Sequence, residues 1–240
     1  MSSKRHRFVA LVDRLRNEHP ELIDPFEAIV LGHVLVDGVM VLNPRGLVER
    51  HGTITVTGRH LLRGTVKLKA ALDSFHVPVE GRIAMDVGAS TGGFTSALLE
   101  AGARRVYAID AGHGQLLGSL RQDDRVVNLE RTNAGDLSRT VISDPVDLVV
   151  LDLSYLALSV AVPQLETVSF AASACMIALV KPMYELRLPT PPTRDEDLGE
   201  AVRRATSGIE RSGWSVRGCV RSPIRGRRGA VEFLLCAERR

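Results

Sequence analysis

The pattern of apolar and polar positions in the first 57 residues predicts a small mixed unit. Apolar residues recur at helical spacing over residues 8–18, and Asp24-Pro25-Phe26-Glu27 offers an N-cap, a proline and a capping glutamate for a short second helix ending at Gly32. Three short strands are predicted, the first two joined by the hairpin turn Asp37-Gly38, at residues 33–36, 39–41 and 53–56. The unit is therefore expected to be α+β, occupying residues 1–57.

After a predicted linker at residues 58–64, apolar runs typical of buried strands alternate with segments of helical period. The predicted strands cover residues 83–87, 105–109, 126–129, 147–151, 175–180, 214–220 and 230–237. The predicted helices cover about residues 93–101, 114–120, 136–142, 157–168 and 195–212. This alternation predicts an α/β domain at residues 65–240, in which helices cover both faces of a mostly parallel sheet.

The connection between the last two predicted strands is the short segment 221–229. A parallel pair needs a crossover of a dozen or more residues, so the seventh strand is predicted to be antiparallel. A doubly wound, seven-stranded sheet with an antiparallel last strand is the architecture of class I, Rossmann-like methyltransferases.

Composition argues against a membrane-spanning segment and a signal peptide. The 240 residues are 45% apolar and 25% charged, an ordinary globular balance. The longest nearly apolar stretch, residues 168–180, contains serines and is shorter than a bilayer requires. Only five apolar residues follow the basic start before Asp13, too few for a signal peptide. A cytoplasmic protein without membrane contact is expected.

Charge and cysteines refine this expectation. Residues 180–240 carry 13 basic and 8 acidic residues, so the C-terminal part of the chain is positive. The three cysteines, Cys175, Cys219 and Cys236, lack the paired spacing of zinc or redox sites and are expected to be reduced core thiols. No metal-binding constellation is visible.

The strongest local signal is the run from Asp86 to Phe94, DVGASTGGF, at the end of the first predicted strand of the sheet. Ligands of open α/β sheets bind at such strand ends, and glycines let the backbone approach a ligand closely. The spacing is neither GxGxxG nor a phosphate loop, which disfavours dinucleotides and nucleoside triphosphates. Asp110 ends the second strand of the sheet, where a carboxylate can accept hydrogen bonds from both ribose hydroxyls.

Several segments resemble the TlyA (hemolysin A) family of FtsJ-like ribosomal RNA ribose 2′-O-methyltransferases, which carry an N-terminal S4 RNA-binding domain. They read RGTVKL, DVGASTGGFTSALLEAGARRVYAIDAGHGQL, LERTNA, DLVVLDLSYLAL, ALVKPMYE and VEFLL. The N-terminal GHVLVDGVMVLNP and TITV resemble the S4 module, although an acidic segment, residues 21–24, stands where that module is usually basic. The resemblance implies S-adenosylmethionine as the cofactor, bound by Asp86, Gly88, Ala89, Ser90, Gly92, Gly93, Phe94, Asp110, Asn133 and Asp152.

FtsJ-like enzymes use a Lys-Asp-Lys-Glu tetrad, and the resemblance assigns those roles to Lys67, Asp152, Lys181 and Glu232. A ribose hydroxyl is a poor nucleophile, so its attack on a methyl group benefits from a positioned group that takes its proton. Lysine can play this part because, unlike arginine, it can lose its proton. Only four of the 31 basic residues are lysines, which makes lysine at these two positions informative.

RNA contact is expected at the dense basic segment before Glu232, which contains Arg221, Arg225, Arg227 and Arg228. The resemblance implies a ribosomal RNA or ribosomal subunit as partner and cytidine as the nucleotide. The segment after Lys181, which passes into the proline-rich LPTPPT, departs from the family's glycine-rich pattern. Two alternatives stay open: a methyltransferase with a small-molecule acceptor, and a non-catalytic RNA-binding or hemolysin-like protein.

Overall fold

The computed structural model describes residues 8–19, 22, 24–30, 33–56 and 62–240, excluding the side chains of Glu27, Val30 and Arg227. The chain divides into two compact units, Met1–Leu61 and Leu62–Arg240. The predicted helix end at Gly32 and most of the predicted linker lie outside the described residues.

The described residues of the N-terminal unit form two helices and two small sheets. Its elements are β1 (Phe8–Ala10), α1 (Leu11–Glu18), α2 (Pro25–Val30), β2 (Val34–Val36), β3 (Val39–Met40), β4 (Leu47–Glu49) and β5 (Ile54–Val56). Strand β2 lies between β3 and β5, and β1 pairs with β4. The prediction that residues 8–10 are helical is wrong, because they form antiparallel pairs with residues 47–49, a strand that the sequence pattern did not indicate.

The second unit is built on one seven-stranded sheet. Its strands are β6 (Ile83–Val87), β7 (Arg105–Asp110), β8 (Val126–Glu130), β9 (Val146–Leu151), β10 (Phe170–Val180), β11 (Trp214–Arg221) and β12 (Phe233–Arg239), in the spatial order β11-β12-β10-β9-β6-β7-β8. Strand β12 is antiparallel to both of its neighbours, whereas β10, β9, β6, β7 and β8 pair in parallel. The predicted mostly parallel sheet with an antiparallel last strand is confirmed.

Helices cover both faces of this sheet. They are α3 (Arg63–Phe75), α4 (Gly93–Glu100), α5 (Gly118–Arg121), α6 (Leu158–Ala161), α7 (Pro182–Glu185) and α8 (Asp195–Arg211). Alternate residues of each central strand enter two separate cores: Met85 belongs to the core that contains Trp214, whereas Ala84 belongs to the core that contains Leu68 and Leu98. Burial on both faces explains why the central strands read as continuous apolar runs.

Several predicted elements differ from the structure: the helix at 114–120 is reduced to α5, the strand at 175–180 begins at Phe170, and three others differ more. No α-helix covers residues 136–142, where a capping box between Asn133 and Asp136 closes a three-residue 3-10 helix instead. The predicted helix at 157–168 is shorter: α6 is followed by a 3-10 turn at Val162–Leu165 that contains Pro163. Strand β12 begins only at Phe233, because Ala230 closes a turn through its carbonyl, which accepts from the Gly226 amide.

The cysteine prediction is correct for two of the three thiols. Cys175 and Cys236 are free and buried, with their sulfur atoms 3.7 Å apart on the neighbouring strands β10 and β12. Cys219 is exposed on the edge strand β11, so it is not a core thiol.

Helices α3 and α4 approach closely at a pair of glycines. A Cβ atom on Gly93 would lie 2.8 Å from the Gly64 Cα, and the Thr65 hydroxyl donates a 2.9 Å hydrogen bond to the Gly93 carbonyl. Since the obstructing atom belongs to the backbone, it cannot move away as a side-chain end could. Glycine at position 93 thus fixes how α3 lies against the loop that precedes α4.

Gly93→Ala should therefore lower the free energy of unfolding by about 1 to 3 kcal/mol, the usual cost of overpacking. Urea unfolding followed by fluorescence of Trp214, the single tryptophan of the chain, measures this change. Gly118→Ala is the matched control, because a Cβ there meets no atom within 4 Å. Equal stability of the two variants would contradict the close approach of α3 and α4.

Candidate active site

Three polar residues follow or precede adjacent strands at one edge of the sheet. Asp152 follows β9 and Lys181 follows β10, and the last parallel partners in register are Leu151 and Ala178. Glu232 precedes the antiparallel strand β12, whose Phe233 pairs with Val180. The carboxyl ends of β9 and β10 and the start of β12 therefore meet at the same edge.

The first ion pair at this edge joins Lys181 to Asp152. The Lys181 Nζ lies 2.6 Å from the Asp152 Oδ1 and donates a 3.1 Å hydrogen bond to the Ser154 Oγ. The side chains of the pair are 15% and 24% exposed, so both remain within reach of a ligand in the adjoining cleft.

The second ion pair is buried. The Lys67 Nζ, on α3, lies 2.6 Å from the Glu232 Oε2, with side-chain exposures of only 7% and 5%. Removing two charges from water costs several kcal/mol per ion, and mutual attraction offsets this cost only when the geometry is good. The pair fixes α3 to the start of β12 and sets a lysine and a carboxylate beside the Lys181–Asp152 pair.

The arginine-rich segment 221–229, here called the arginine loop, folds over the buried pair. A Cβ on Gly226 would lie 2.0 Å from the Glu232 Oε1, so only glycine fits there without displacing that carboxylate. The Arg63 guanidinium donates to the Arg225 carbonyl, which ties the loop to the start of α3.

The three arginine side chains of the loop that the structure describes are exposed. They belong to Arg221, Arg225 and Arg228, and Arg228 adopts a left-handed backbone with φ 57°. Arg227 lies in the 3-10 turn at Arg227–Gly229, and its side chain is outside the described part of the structure. These exposed charges are available for anionic partners.

A cleft of about 550 Å³ opens beside Asp152, between the ends of β6, β7, β8 and β9. This volume lies within the usual range for small-molecule and cofactor sites. Five of the residues expected to bind a cofactor line it: Gly88, Ser90, Asp110, Asn133 and Asp152. Gly88, at φ 91°, lets the chain turn between two strand ends, because a Cβ there would lie 2.6 Å from the Asp152 carbonyl oxygen.

Backbone groups hold the Asp110 carboxylate in place at the cleft wall. Its Oδ2 accepts a 2.8 Å hydrogen bond from the Ser90 amide, and its Oδ1 accepts a 2.7 Å bond from the Gly112 amide. A carboxylate has about four lone-pair positions, so two acceptor positions remain after these bonds. A nucleoside with two adjacent hydroxyls fits such an acceptor.

The other five expected cofactor residues lie behind the cleft. Ala89 and Phe94 are buried in the core that contains α3 and α4. Gly92 turns the chain at φ 99°, and Gly93 packs against Gly64. Asp86 is fully buried, where it accepts a 2.7 Å hydrogen bond from the Thr95 hydroxyl. These residues shape the loop, while Gly88 and Ser90 form its surface toward the cleft.

Two carboxylates that sequence reasoning missed organise the surrounding loops. Burial alone would raise the pKa of Glu130, but backbone amides, those of Gln115 and Leu116 among them, donate to it and lower that pKa to about 2. Glu185 is buried on α7, and its Oε1 accepts a 2.7 Å bond from the Leu158 amide, which joins the segment after Lys181 to the segment after Asp152. Neither has a sequence signal, because both depend on backbone amides that only the fold brings to them.

Two kinds of feature are absent from the described part of the structure. None of the helices there is long and apolar enough to cross a membrane. No group of three or more histidine, cysteine or acidic side chains there is placed to hold a metal ion.

A doubly wound sheet with this strand order, and a cleft at the carboxyl ends of its central strands, defines a class I methyltransferase. Residues 61–239 match the model of the FtsJ-like methyltransferases. The chain belongs to that family and, within it, to the TlyA (hemolysin A) group.

Individual relatives agree with this assignment. The 16S/23S rRNA (cytidine-2′-O)-methyltransferase TlyA of Mycobacterium tuberculosis is 39% identical over 222 residues, which cover 87% of this chain and 81% of that protein. A solved protein from Streptococcus thermophilus, provisionally named a hemolysin, is 28% identical with a TM-score of 0.77 and covers 98% of this chain and 89% of its own.

A more distant structure shares the fold alone. Magnesium protoporphyrin IX methyltransferase from Synechocystis, solved with bound S-adenosylmethionine, is 16% identical with a TM-score of 0.51. The match covers 74% of this chain and 79% of that enzyme.

The buried Asp86 gives the site a testable pH dependence. Burial raises the pKa of this carboxyl from 3.8 to about 7, although the Thr95 hydroxyl bond opposes the shift. A raised pKa in the folded state means that the contribution of Asp86 to stability is complete below about pH 4 and is lost as the pH rises toward and past 7.

Asp86→Asn keeps an acceptor for Thr95 and removes this titration. One pKa unit corresponds to about 1.4 kcal/mol, so the stability of the variant relative to wild type should rise by about 2 to 3 kcal/mol between pH 5 and pH 8. Urea unfolding across that range measures the difference. A constant difference would show that Asp86 does not titrate there.

Proposed function

We propose that this protein is an S-adenosylmethionine-dependent ribose 2′-O-methyltransferase that acts on ribosomal RNA, with cytidine as the nucleotide. The observation that carries the proposal is the pair of lysine–carboxylate contacts, Lys181–Asp152 and Lys67–Glu232, the first of which reaches the cleft through Asp152. The name of the 39% identical mycobacterial relative supports the substrate and the position methylated.

The cleft fits the cofactor in volume and in donor set. Asp110, with two free acceptor positions, would hold the ribose hydroxyls of the cofactor, and the turn at Gly88 and Ser90 would lie against its amino-acid end. Asn133, whose side-chain amide donates a hydrogen bond to Asp136, would contact the adenine base of the cofactor. When bound, the cofactor supplies a methyl group on a sulfonium, which is transferred in a single displacement.

Asp86, Ala89, Gly92, Gly93 and Phe94 take a different part in this proposal. Their burial and turn geometry support a role in shaping the glycine loop from behind, rather than in direct contact with the cofactor. Asp152 belongs to both sets, because it lines the cleft and pairs with Lys181.

Lys181 acts on the acceptor hydroxyl. Its Nζ is held by Asp152 and Ser154, and in its unprotonated form it accepts the hydroxyl proton while the ribose oxygen bonds to the methyl carbon. The cofactor held at Asp110 would supply the methyl group and would keep the electron pair of its carbon–sulfur bond on sulfur. Because this reaction neutralises charge instead of separating it, aligning the hydroxyl contributes alongside proton transfer. Lys67 and Glu232 complete the tetrad and hold its orientation.

RNA binding is assigned to the arginine loop and to the N-terminal unit. Arg221, Arg225 and Arg228 present exposed charges beside the buried pair, and Arg227 belongs to the same loop. The N-terminal unit is proposed to be an S4-like RNA-binding domain at residues 1–57. A ribosomal substrate implies action in the cytoplasm.

Cofactor binding is the first test. Calorimetry should detect S-adenosylmethionine or S-adenosylhomocysteine, and Asp110→Ala should weaken binding about tenfold or more, because two hydroxyls lose their acceptor. Asp123→Ala, on an exposed turn whose carboxylate pairs with Arg125, is the control and should bind like wild type. The absence of cofactor binding in the wild type would refute the proposal.

Methyl transfer to RNA is the second test. Lys181→Ala should lower single-turnover transfer about 100-fold or more at saturating RNA, with little change in cofactor affinity. Lys181→Arg should fail as well, since guanidinium keeps its proton at neutral pH. Near-normal transfer in Lys181→Ala would remove the assigned role of this lysine.

The product of the wild type identifies the acceptor. Labelled methyl groups should survive alkali in a 2′-O-methylated dinucleotide. Alkaline cleavage of a phosphodiester needs the neighbouring free 2′-hydroxyl, which methylation removes. Label that appears only in low-molecular-weight compounds would indicate a small-molecule methyltransferase instead.

A further inference from the structure

A second cleft, of about 490 Å³, lies next to the proposed active site and is bounded by α6, α7 and α8. The two clefts share a wall made by one stretch of chain. Tyr155 and Leu156 line the first cleft, and Ala157 and Ser159 line the second. A ligand long enough to leave the first cleft over this wall would enter the second.

Four arginines line this second cleft, here called the arginine cleft: Arg187, Arg203, Arg204 and Arg211. Two of them are compensated, since Arg203 and Arg204 donate 3.1 Å and 2.9 Å hydrogen bonds to Glu200. Arg187 and Arg211 are exposed, and the described residues provide neither with an ion-pair partner. The cleft therefore carries uncompensated positive charge.

Two of the cleft's arginines, Arg204 and Arg211, lie in one row along a face of α8. Glu200, Arg204, Ser207 and Arg211 follow the three- and four-residue spacing that places side chains in a row. From Arg204 to Arg211 the row extends about 10 Å, at 1.5 Å of rise per residue. A row of this length suits a ligand with several negative charges in sequence rather than one small anion.

The opposite wall is fixed in place. Glu185 is 5% exposed, and its bond to the Leu158 amide joins α7 to α6 across the floor of the cleft. Arg187 follows two residues later with φ 54°, in a turn closed by the Leu188 amide, which donates to the Met183 carbonyl at 2.8 Å. Arg187 is therefore presented from a defined turn instead of a loose loop.

We propose that the arginine cleft binds phosphates of the RNA strand next to the nucleotide held at Lys181 and Asp152. This inference rests on the proposed function and extends it, because it assigns the substrate a path over the wall at Leu156 and Ala157, away from the arginine loop. Phosphate contacts position the strand and carry no sequence information. The arginine cleft thus contributes affinity and register, whereas the tetrad performs the chemistry.

The test compares two double variants that each remove two positive charges. Arg187→Gly with Arg211→Ala alters the arginine cleft, and glycine is chosen because it adopts the φ of position 187 without strain. Arg82→Ala with Arg104→Ala is the control, since neither of these residues lines the first cleft or the arginine cleft. Binding of protein-free ribosomal RNA is measured from 50 to 200 mM salt, together with cofactor affinity.

The arginine-cleft variant should bind RNA more weakly than the control, and its plot of log affinity against log salt should lose about two units of slope. Cofactor affinity should stay at the wild-type value. Equal RNA affinity and slope in the two double variants would overturn the inference while leaving the proposed function intact.

Two further outcomes also contradict it. A defect seen with intact ribosomal subunits but not with protein-free RNA would assign the arginine cleft to a ribosomal protein. A wild-type protein that binds cofactor but neither binds nor methylates RNA would refute the proposed function itself, and the inference with it.

Discussion

The buried contact between Lys67 and Glu232 is the interaction on which the arrangement of the site depends. It joins α3, which lies before the first strand of the sheet, to the start of β12, which lies at the end of the chain. Because β12 is inserted antiparallel beside β10, Glu232 comes to the edge where Lys181 and Asp152 already meet. A buried ion pair is a weak source of stability when compared with apolar residues of the same size. Its presence is better explained by the chemistry proposed for this edge.

Glycine positions make the close approaches that this arrangement requires. Gly93 and Gly64 let α3 lie against the start of α4. This close approach places Lys67, which lies on α3, at the sheet edge. Gly226 lets the arginine loop cross directly above the Glu232 carboxylate. At Gly88, the turn after β6 reaches the backbone of Asp152, so the cofactor cleft and the Lys181–Asp152 pair share one wall. Backbone contact thus couples the binding and catalytic parts of the proposed site.

Much of the methyltransferase unit could be predicted, because short apolar runs in the sequence mark its strands. The bounds of β6 agree with the apolar run at 83–87, and the short connection at 221–229 was enough to predict an antiparallel β12. The sequence could not predict the strand at residues 8–10, since its pairing partner at 47–49 is remote and both segments are short. A helix was predicted at residues 136–142, yet Leu137 and Ile142 are buried within an irregular segment that begins at a capping box.

The candidate site likewise combines residues that the sequence could predict with residues whose placement depends on tertiary packing. Asp110 could be predicted from its position at a strand end, because ligands of open α/β sheets bind there. Asp152 and Lys181 were assigned by the resemblance to FtsJ-like enzymes. Which loop residues face the cleft could not be read: Asp86 and Phe94 belong to the same glycine-rich run as Gly88 and Ser90 but point into the core. Glu185 and the arginine cleft depend on how α6, α7 and α8 pack, which no local pattern records.

The central claim is that the Lys67–Glu232 pair serves chemistry rather than stability, and a double-variant comparison tests it most directly. Lys67→Met and Glu232→Met should each destabilise the protein by about 3 to 5 kcal/mol, because each leaves an unpaired buried charge. The double variant should recover a free energy of unfolding near or above that of wild type, since methionine replaces both charges with apolar side chains of similar size. Methyl transfer by the folded double variant should nevertheless remain at least about 100-fold below wild type. A stable double variant that transfers methyl groups at the wild-type rate would contradict the account.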